Sequence, residues 1–492
     1  MPTTDWIKKW AYYFPGKIAL KEYETGRALT YGELNRLADA TVAILQKEYD
    51  ISPGDRIAIL AENCLEYFVL FSAAQKSGII LVPLNYRLTS EELKFMLEDS
   101  EPTLLVVEKK YEQKVNFLSI PILSIKEFFR HISKKSGNDT GENNASPVKF
   151  EDPLFILYTS GTTGTPKGAI YTHGMLFWNS INTSLRLDIT SDDRSISCTP
   201  MFHTGGWNVI PTPFLHRGAT VTITRKFEPD VVLQLLEQEK ATMFMAVPTM
   251  LQMMADSPKF QEVNLSSMRF FIIGGEPMPL PLIDIWHGKG IPIRQGYGLT
   301  EAGPSITSLH QDDAIRKRGT IGTPNFYLDI KIVNEEGKEV APGEIGELLL
   351  KGPVVTPGYW KNPKATESAF TDGWFHTGDM VVQDEEGYLT IMDRKKNMYI
   401  SGGENVYPAE VEKVILKHPD VKEVAIIGVP DEKWGEVGKA FVVRKKNSAL
   451  EEDDLIRYLQ DKVAKYKLPK RITFIEEIPK TDTGKIDRKA LK

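Results

Sequence analysis

Short apolar runs alternate with amphipathic stretches through the first hundred residues, and that alternation restricts the fold more than any other feature of the chain. Leu34, Leu37, Ala38, Thr41, Val42 and Leu45 recur at helical spacing behind a capping box formed by Thr30 and Glu33. Residues 56–60 and 79–82 read as buried strands, Thr89 and Glu92 cap a further helix, and residues 103–107 are again strand-like. Strands that are apolar throughout, separated by helices, imply a largely parallel sheet covered on both faces.

Residues 133–146 interrupt this rhythm with Gly, Asn, Asp and Lys, so a surface loop or a joint between subdomains is expected there. The pattern resumes at 219–223, 241–247, 270–273 and 291–294, with Pro229, Pro248 and Pro279 where the intervening helices begin. After about Gly319 short strands and tight turns take over. Hairpins are expected around 334–337, joining 329–333 to 338–340, and around 384–387, joining 380–383 to 388–392. From Asp393 the alternation returns, with helices over 408–417 and 451–466 and strands over 421–429 and 440–444. A chain of 492 residues is too long for one core. The expected fold class is α/β: a large N-terminal domain at 1–392 and a small, mobile C-terminal α/β domain at 393–492. The first divides into two α/β subdomains within 1–318 and a small β-barrel-like subdomain at 319–392.

The net charge of −6 argues against general nucleic-acid binding. The 22 Lys/Arg and 18 Asp/Glu of residues 393–492 give that part about +4, suited to an anionic ligand or simply to a solvated surface. Cys64 and Cys198 make no metal or disulfide framework, which points to a reducing, cytoplasmic compartment. No stretch approaches the ~20 apolar residues of a membrane span.

The densest chemical signal is residues 158–168, Tyr-Thr-Ser-Gly-Thr-Thr-Gly-Thr-Pro-Lys-Gly, directly after an apolar run. Gly161 and Gly164 let backbone N–H groups point at phosphate, Thr159, Ser160, Thr162 and Thr163 add hydroxyl donors, and Lys167 adds a positive charge. Pro166 occupies the second glycine position of a P-loop and Gly168 follows the lysine, so this is not a P-loop.

At these residues the chain resembles the adenylate-forming superfamily of acyl-CoA synthetases, amino-acid adenylation domains and beetle luciferases, over essentially its whole length. The resemblance implies ATP, Mg²⁺ and coenzyme A as cofactors and co-substrates, and roles for matching residues. In 296–301, Gly-Tyr-Gly-Leu-Thr-Glu, Tyr297 would stack on adenine, Thr300 would bind the α-phosphate and Glu301 would hold Mg²⁺. Gly274, Gly275 and Glu276 resemble the turn under the adenine. Asp379 and Arg394 would contact the ribose, Lys396 would be the pivot of the C-terminal domain, and Lys485 would bridge the substrate carboxylate and the α-phosphate. Many acyl-CoA synthetases carry aspartate at the pivot, a departure that leaves the hinge energetics open.

In 201–207, Met-Phe-His-Thr-Gly-Gly-Trp, His203 stands where amino-acid-activating members carry aspartate, which implies an acid without an α-amino group and a substrate or catalytic role for His203. Trp207 matches the spacing of an aromatic gate in some long-chain enzymes, with a core tryptophan as the alternative. Gly298 stands where acetate-specific relatives carry tryptophan and is expected to leave room for a larger acyl group. Arg87, Gly402, Gly403, Trp434 and Tyr466 resemble coenzyme A contacts, although Leu468 replaces an arginine of some aryl-CoA ligases.

Together these imply a carboxylate–CoA ligase that forms acyl-AMP and then acyl-CoA, with a medium- or long-chain fatty acid as the expected substrate. The alternatives are an o-succinylbenzoate or aryl-acid ligase, an adenylating enzyme that loads a carrier protein, and a non-catalytic scaffold on the same fold. Expected partners are small molecules, with no nucleic acid and no transmembrane segment; a homodimer is compatible with the resemblance.

Overall fold

Both threonine capping boxes form in the computed structural model, which describes residues 4–136, 148–159, 166–401, 404–431, 434–460, 462–463, 465–481 and 484–491. The Thr30 and Thr89 hydroxyls accept from the Glu33 and Glu92 amides, and the two carboxylates return to the cap amides at 2.9 and 2.8 Å. They start the helices Tyr31–Tyr49 and Ser90–Ser100.

The described chain forms two compact units, one of residues 1–329 with 350–375, the other of 330–349 with 376–492. The second unit thus takes in part of the residues expected to form a β subdomain together with residues 393–492.

The first unit contains three sheets. In the largest, the strands run in the order Ile122–Ser124, Leu104–Val107, Arg56–Leu60, Ile80–Pro83, Pro153–Thr159 and Lys167–Thr172. All neighbours are parallel except the last pair. Leu104–Val107 and Ile80–Pro83 are buried at every position, as expected of strands covered on both faces. The helix Leu65–Ser77 is buried almost all round. A second sheet places Met243–Ala246, Phe270–Ile273 and Ile293–Tyr297 in parallel and adds Thr307–Ser308 and Thr323–Pro324 antiparallel. A third joins Ala28–Thr30, Ile18–Glu22, Thr220–Ile223 and Arg194–Ser197. Pro229 and Pro248 open their helices, and Pro279 caps Leu280–Gly288.

In the second unit, Val421–Asp431 and Gly435–Arg444 form a long antiparallel pair, flanked by Tyr399–Ser401 with Glu404–Val406 and by Arg471–Phe474. The unit also holds most of a sheet of Asp329–Val333, Ile345–Lys351, Trp374–Gln383 and Leu389–Arg394. Tyr399, Val411, Ile415, Ile426, Val442 and Leu455 fill its core.

Several sequence expectations need correction. Residues 133–135 belong to the helix Ile125–Lys135, whose Phe128, Phe129 and Ile132 are buried; residues 137–146 lie outside the described residues. Residues 338–340 make one bridge, Val333 to Glu339, and no strand. The helix expected over 451–466 is Glu452–Leu459, with a separate 3₁₀ turn at Lys465–Lys467. Among the described residues no helix is long and apolar enough to cross a membrane.

Candidate functional site

Thr159 and Lys167 face each other as the last and first residues of an antiparallel pair of strands. Ser160, Gly161, Thr162, Thr163 and Gly164 lie outside the described residues. The pair fixes both ends of the motif on rigid backbone. A Cβ at Gly168 would stand 2.7 Å from Ile156 Cγ2, so the chain at this point needs a residue without a side chain.

Glu301 comes to this place from a different sheet. It sits in the 3₁₀ turn Thr300–Ala302, which follows the strand Ile293–Tyr297. Glu301 Oε1 accepts from the Tyr359 hydroxyl at 3.0 Å and from Thr159 Oγ1 at 3.4 Å, and its carbonyl accepts from the Thr356 amide at 2.7 Å. Lys167 Nζ lies 5.2 Å from the centre of the Tyr359 ring. Glu301 and Lys167, named from sequence, thus both meet Tyr359, which was not, and Thr159 reaches Glu301. Thr300 shares the turn with Glu301.

The residues expected around an adenine lie at the ends of neighbouring strands. Gly275 follows Phe270–Ile273 with φ +87, a conformation that favours glycine. Gln295 takes the Met278 amide at 2.8 Å, which ties the segment after Glu276 to the strand that ends in Tyr297.

Gly298 has a different reason from the one expected. A Cβ there would be 1.4 Å from the Pro304 carbonyl oxygen. The glycine admits the crossing backbone of residues 303–305 and opens no space for an acyl group.

His203 caps the short helix Thr204–Asn208, with its ring against Phe202 at 4.4 Å between centroids. That helix is held by Asn179, whose amide nitrogen donates to the Asn208 carbonyl at 2.7 Å while its oxygen accepts from the Ser305 amide at 3.3 Å. One side chain thus links the His203 segment to the turn after Glu301. Trp207 is 0 % exposed, packed on Tyr67, Phe68, Phe71 and Phe155, and its indole N–H donates to the Met201 carbonyl at 2.5 Å. It is a core residue; a gate must reach the substrate path, and this ring is enclosed by the main hydrophobic cluster.

Arg87 is exposed and lies over the rings of Tyr86 and Phe202, at 5.7 and 5.8 Å. The expected coenzyme A contact therefore neighbours the His203 segment. Trp434 and Tyr466 are both exposed. Gly402 and Gly403 lie outside the described residues, between Tyr399–Ser401 and Glu404–Val406.

In the second unit Asp379 and Arg394 are direct cross-strand partners, with Arg394 Nε 2.6 Å from Asp379 Oδ1. Arg394 also donates to the Thr377 carbonyl at 3.1 Å, and the Asp379 amide donates to Thr377 Oγ1 at 3.0 Å. Asp379 is almost wholly buried. Such a pair offers carboxylate and guanidinium together to a diol. Lys396 follows in the turn Lys395–Asn397. Desolvation, then the charges of Arg394 and Lys489, push its ammonium below the ordinary lysine range, and Lys485 adds a smaller push of the same sign. Lys485 is exposed and follows Gly484, which has φ +84.

The first-unit residues fit a hard cation. Among the described residues Glu301 Oε1 takes both side-chain hydrogen bonds and Oε2 takes none. One carboxylate oxygen beside hydroxyl groups suits Mg²⁺ that takes its other ligands from phosphate and water. Among the described residues no group of three or more His, Cys, Asp or Glu could hold a metal without such outside ligands.

Over most of its length the chain is similar to known proteins. The family described as AMP-binding enzyme matches residues 7–360, and the AMP-binding enzyme C-terminal domain matches residues 410–485. Feruloyl-CoA synthase of Amycolatopsis sp is 39% identical over 94% of this chain and 93% of its own. The long-chain-fatty-acid–CoA ligase FadD13 of Mycobacterium tuberculosis is 36% identical over 100% and 98%. The structure of o-succinylbenzoate CoA synthetase from Bacillus subtilis, in complex with the acyl-adenylate OSB-AMP, superposes with a TM-score of 0.88 at 33% identity, covering 99% of this chain and 98% of that one. Full-length similarity of this kind makes the chain a member of the AMP-binding enzyme family and an acid–CoA ligase within it.

Proposed function

We propose that the protein activates an apolar carboxylic acid lacking an α-amino group, using ATP with Mg²⁺, as its acyl-adenylate, and then transfers the acyl group to coenzyme A with release of AMP. The observation that carries this reading is the meeting of Thr159 and Glu301, 142 residues apart in the chain, beside Lys167. Attack of a carboxylate on the α-phosphate brings anions together, so catalysis rests on positioning and on positive charge where negative charge develops. Lys167 and the Thr159 hydroxyl are proposed donors toward phosphate, and Thr300 is the proposed contact of the α-phosphate. Bound Mg²⁺ supplies charge neutralisation at the phosphate oxygens, with Glu301 as its protein ligand. Asp379 and Arg394 hold the ribose, Lys485 neutralises the reacting carboxylate and α-phosphate in the first half-reaction, and Lys396 is the pivot between half-reactions. Arg87, Trp434 and Tyr466 are the proposed contacts of coenzyme A, with Gly402 and Gly403 as further candidates.

For the acid, an aryl substrate of the feruloyl type is preferred to a fatty acid. The fatty-acid expectation drew on Trp207 as a gate and on space at Gly298; the first is enclosed in the core and the second faces the Pro304 carbonyl. The 39% identity with feruloyl-CoA synthase supports the aryl reading. A cytoplasmic location accords with two buried thiols and no disulfide among the described residues.

The test is AMP release from ATP, with and without coenzyme A, across ferulate, coumarate, benzoate, o-succinylbenzoate, octanoate, palmitate and acetate. Coenzyme A-dependent AMP peaking on an aryl propenoate supports the proposal. A peak on palmitate returns the acid to the fatty class, and AMP formation indifferent to coenzyme A points to a carrier-protein acceptor.

A further inference from the structure

Glu301 sits in a turn of only three residues, too short to hold a carboxylate by its own hydrogen bonding. Its rigidity comes from residues 356–360. Thr356 fixes the Glu301 carbonyl through its amide, and its hydroxyl donates within the loop and to the Ile170 carbonyl, at 2.9 Å to Gly358 and 2.7 Å to Ile170. The Ile170 amide donates to the Gly358 carbonyl at 3.1 Å, and the Trp360 amide to the Gly168 carbonyl at 2.7 Å. The Tyr359 amide donates to Thr366 Oγ1 at 2.9 Å. The segment is therefore laced to the strand Lys167–Thr172, which begins with the site lysine.

Tyr359 touches both charges of the first-unit site. Its hydroxyl donates to Glu301 Oε1, and its ring lies beside the Lys167 ammonium. Yet Lys167 and Glu301 form no ion pair with each other, and Lys167 forms none with any described residue. Opposite charge attracts the Lys167 ammonium to the Glu301 carboxylate, and an ion pair between them would cancel the charges that phosphate and cation require.

We propose that Tyr359 is a positioning residue with two separable effects: its hydroxyl fixes which oxygen of Glu301 is offered to a cation, and its ring keeps the Lys167 ammonium from pairing with that carboxylate. The inference rests on the ATP- and Mg²⁺-dependent reading above, with Glu301 as the cation's ligand.

The experiment measures binding of a non-hydrolysable α,β-methylene ATP analogue by calorimetry, in EDTA and across a MgCl₂ series. The proteins are wild type, Tyr359→Phe, Tyr359→Ala and Tyr359→Ala with Glu301→Gln, each first shown to unfold cooperatively. Tyr359→Phe keeps the ring, so metal-free affinity should stay within about twofold while the Mg²⁺ midpoint rises about tenfold, the scale of one lost charge-assisted hydrogen bond. Tyr359→Ala should lose about tenfold in metal-free affinity as well, because Lys167 can then pair with Glu301, and Glu301→Gln should restore that part. A merely structural tyrosine would not shift the Mg²⁺ midpoint. An unchanged midpoint in Tyr359→Phe, or no restoration in the double variant, overturns the proposal while leaving the ligase reading intact. Wild-type binding indifferent to Mg²⁺ overturns both.

Discussion

Acid should destabilise this protein in part through one histidine whose ring has no hydrogen-bonding partner among the described residues. His173 opens the helix His173–Leu187 directly after the strand that carries Lys167, is almost completely buried, and has no hydrogen bond to either ring nitrogen among the described residues. Burial pushes its imidazole down from 6.5 to about 4, against a weaker opposite pull from Asp152. The unfolded chain therefore takes up a proton that the folded chain refuses. The resulting loss of stability is negligible above pH 7.5, begins as pH falls through 6.5 and is complete below about 4. At pH 5 the two values give a loss of about 2 kcal/mol relative to pH 7.5. His173→Leu removes the titration and keeps the backbone amide that donates to the Asp152 carbonyl at 3.1 Å. Its stability at pH 7.5 should lie within about 1.5 kcal/mol of wild type, since an unsatisfied polar ring is replaced by an apolar side chain. Urea unfolding followed by tryptophan fluorescence suits the measurement, because seven of the eight tryptophans lie in the first unit. His216, held down to about 3 by burial, responds to acid with the same sign but is common to both proteins and cancels in the comparison. The variant should lose about 2 kcal/mol less than wild type between pH 7.5 and 5. Parallel pH profiles would refute the reasoning.

Three further outcomes are expected. Lys485→Ala should slow acyl-adenylate formation by about 10²- to 10³-fold while largely sparing thioester formation from supplied acyl-AMP; equal loss in both half-reactions would remove the role assigned to that lysine. Trp207→Ala should cost about 3–5 kcal/mol in chemical unfolding, whereas a shift in acyl-chain preference with little loss of stability would show a gate after all. Burial raises the Cys64 thiol well above its ordinary range and the Cys198 thiol to about 12, so neither should react with a thiol reagent at pH 8 until denaturant is added.

What the sequence revealed follows from how local each signal is. Residues 270–273 were bounded correctly because a strand covered on both faces is apolar throughout, and this one lies between Arg269 and the glycines 274–275. The helix Leu65–Ser77 went unread for a related reason: it is buried on nearly every side and carries no helical periodicity to detect. The strand expected at 291–294 in fact continues to Tyr297, because a polar Gln-Gly-Tyr end is hidden from a search for apolar runs. Thr159, Lys167 and Glu301 could be named from sequence because their motifs are contiguous. Tyr359 could not, since its meaning depends on a carboxylate 58 residues away. Gly298 was misread because a glycine in a sequence records a missing side chain and not what fills the space.

That last residue also bears on how this chain could change over generations. With the Pro304 carbonyl 1.4 Å from the place of a Cβ, position 298 cannot accept even alanine until residues 303–305 have moved. Substitutions there are thus ordered in time: a lineage that acquires a bulky residue at 298 must first, or simultaneously, have redrawn the turn that also carries the Ser305 amide held by Asn179. The two positions form one heritable unit, and a directed-evolution library that varies 298 alone searches a region from which the turn has already excluded it.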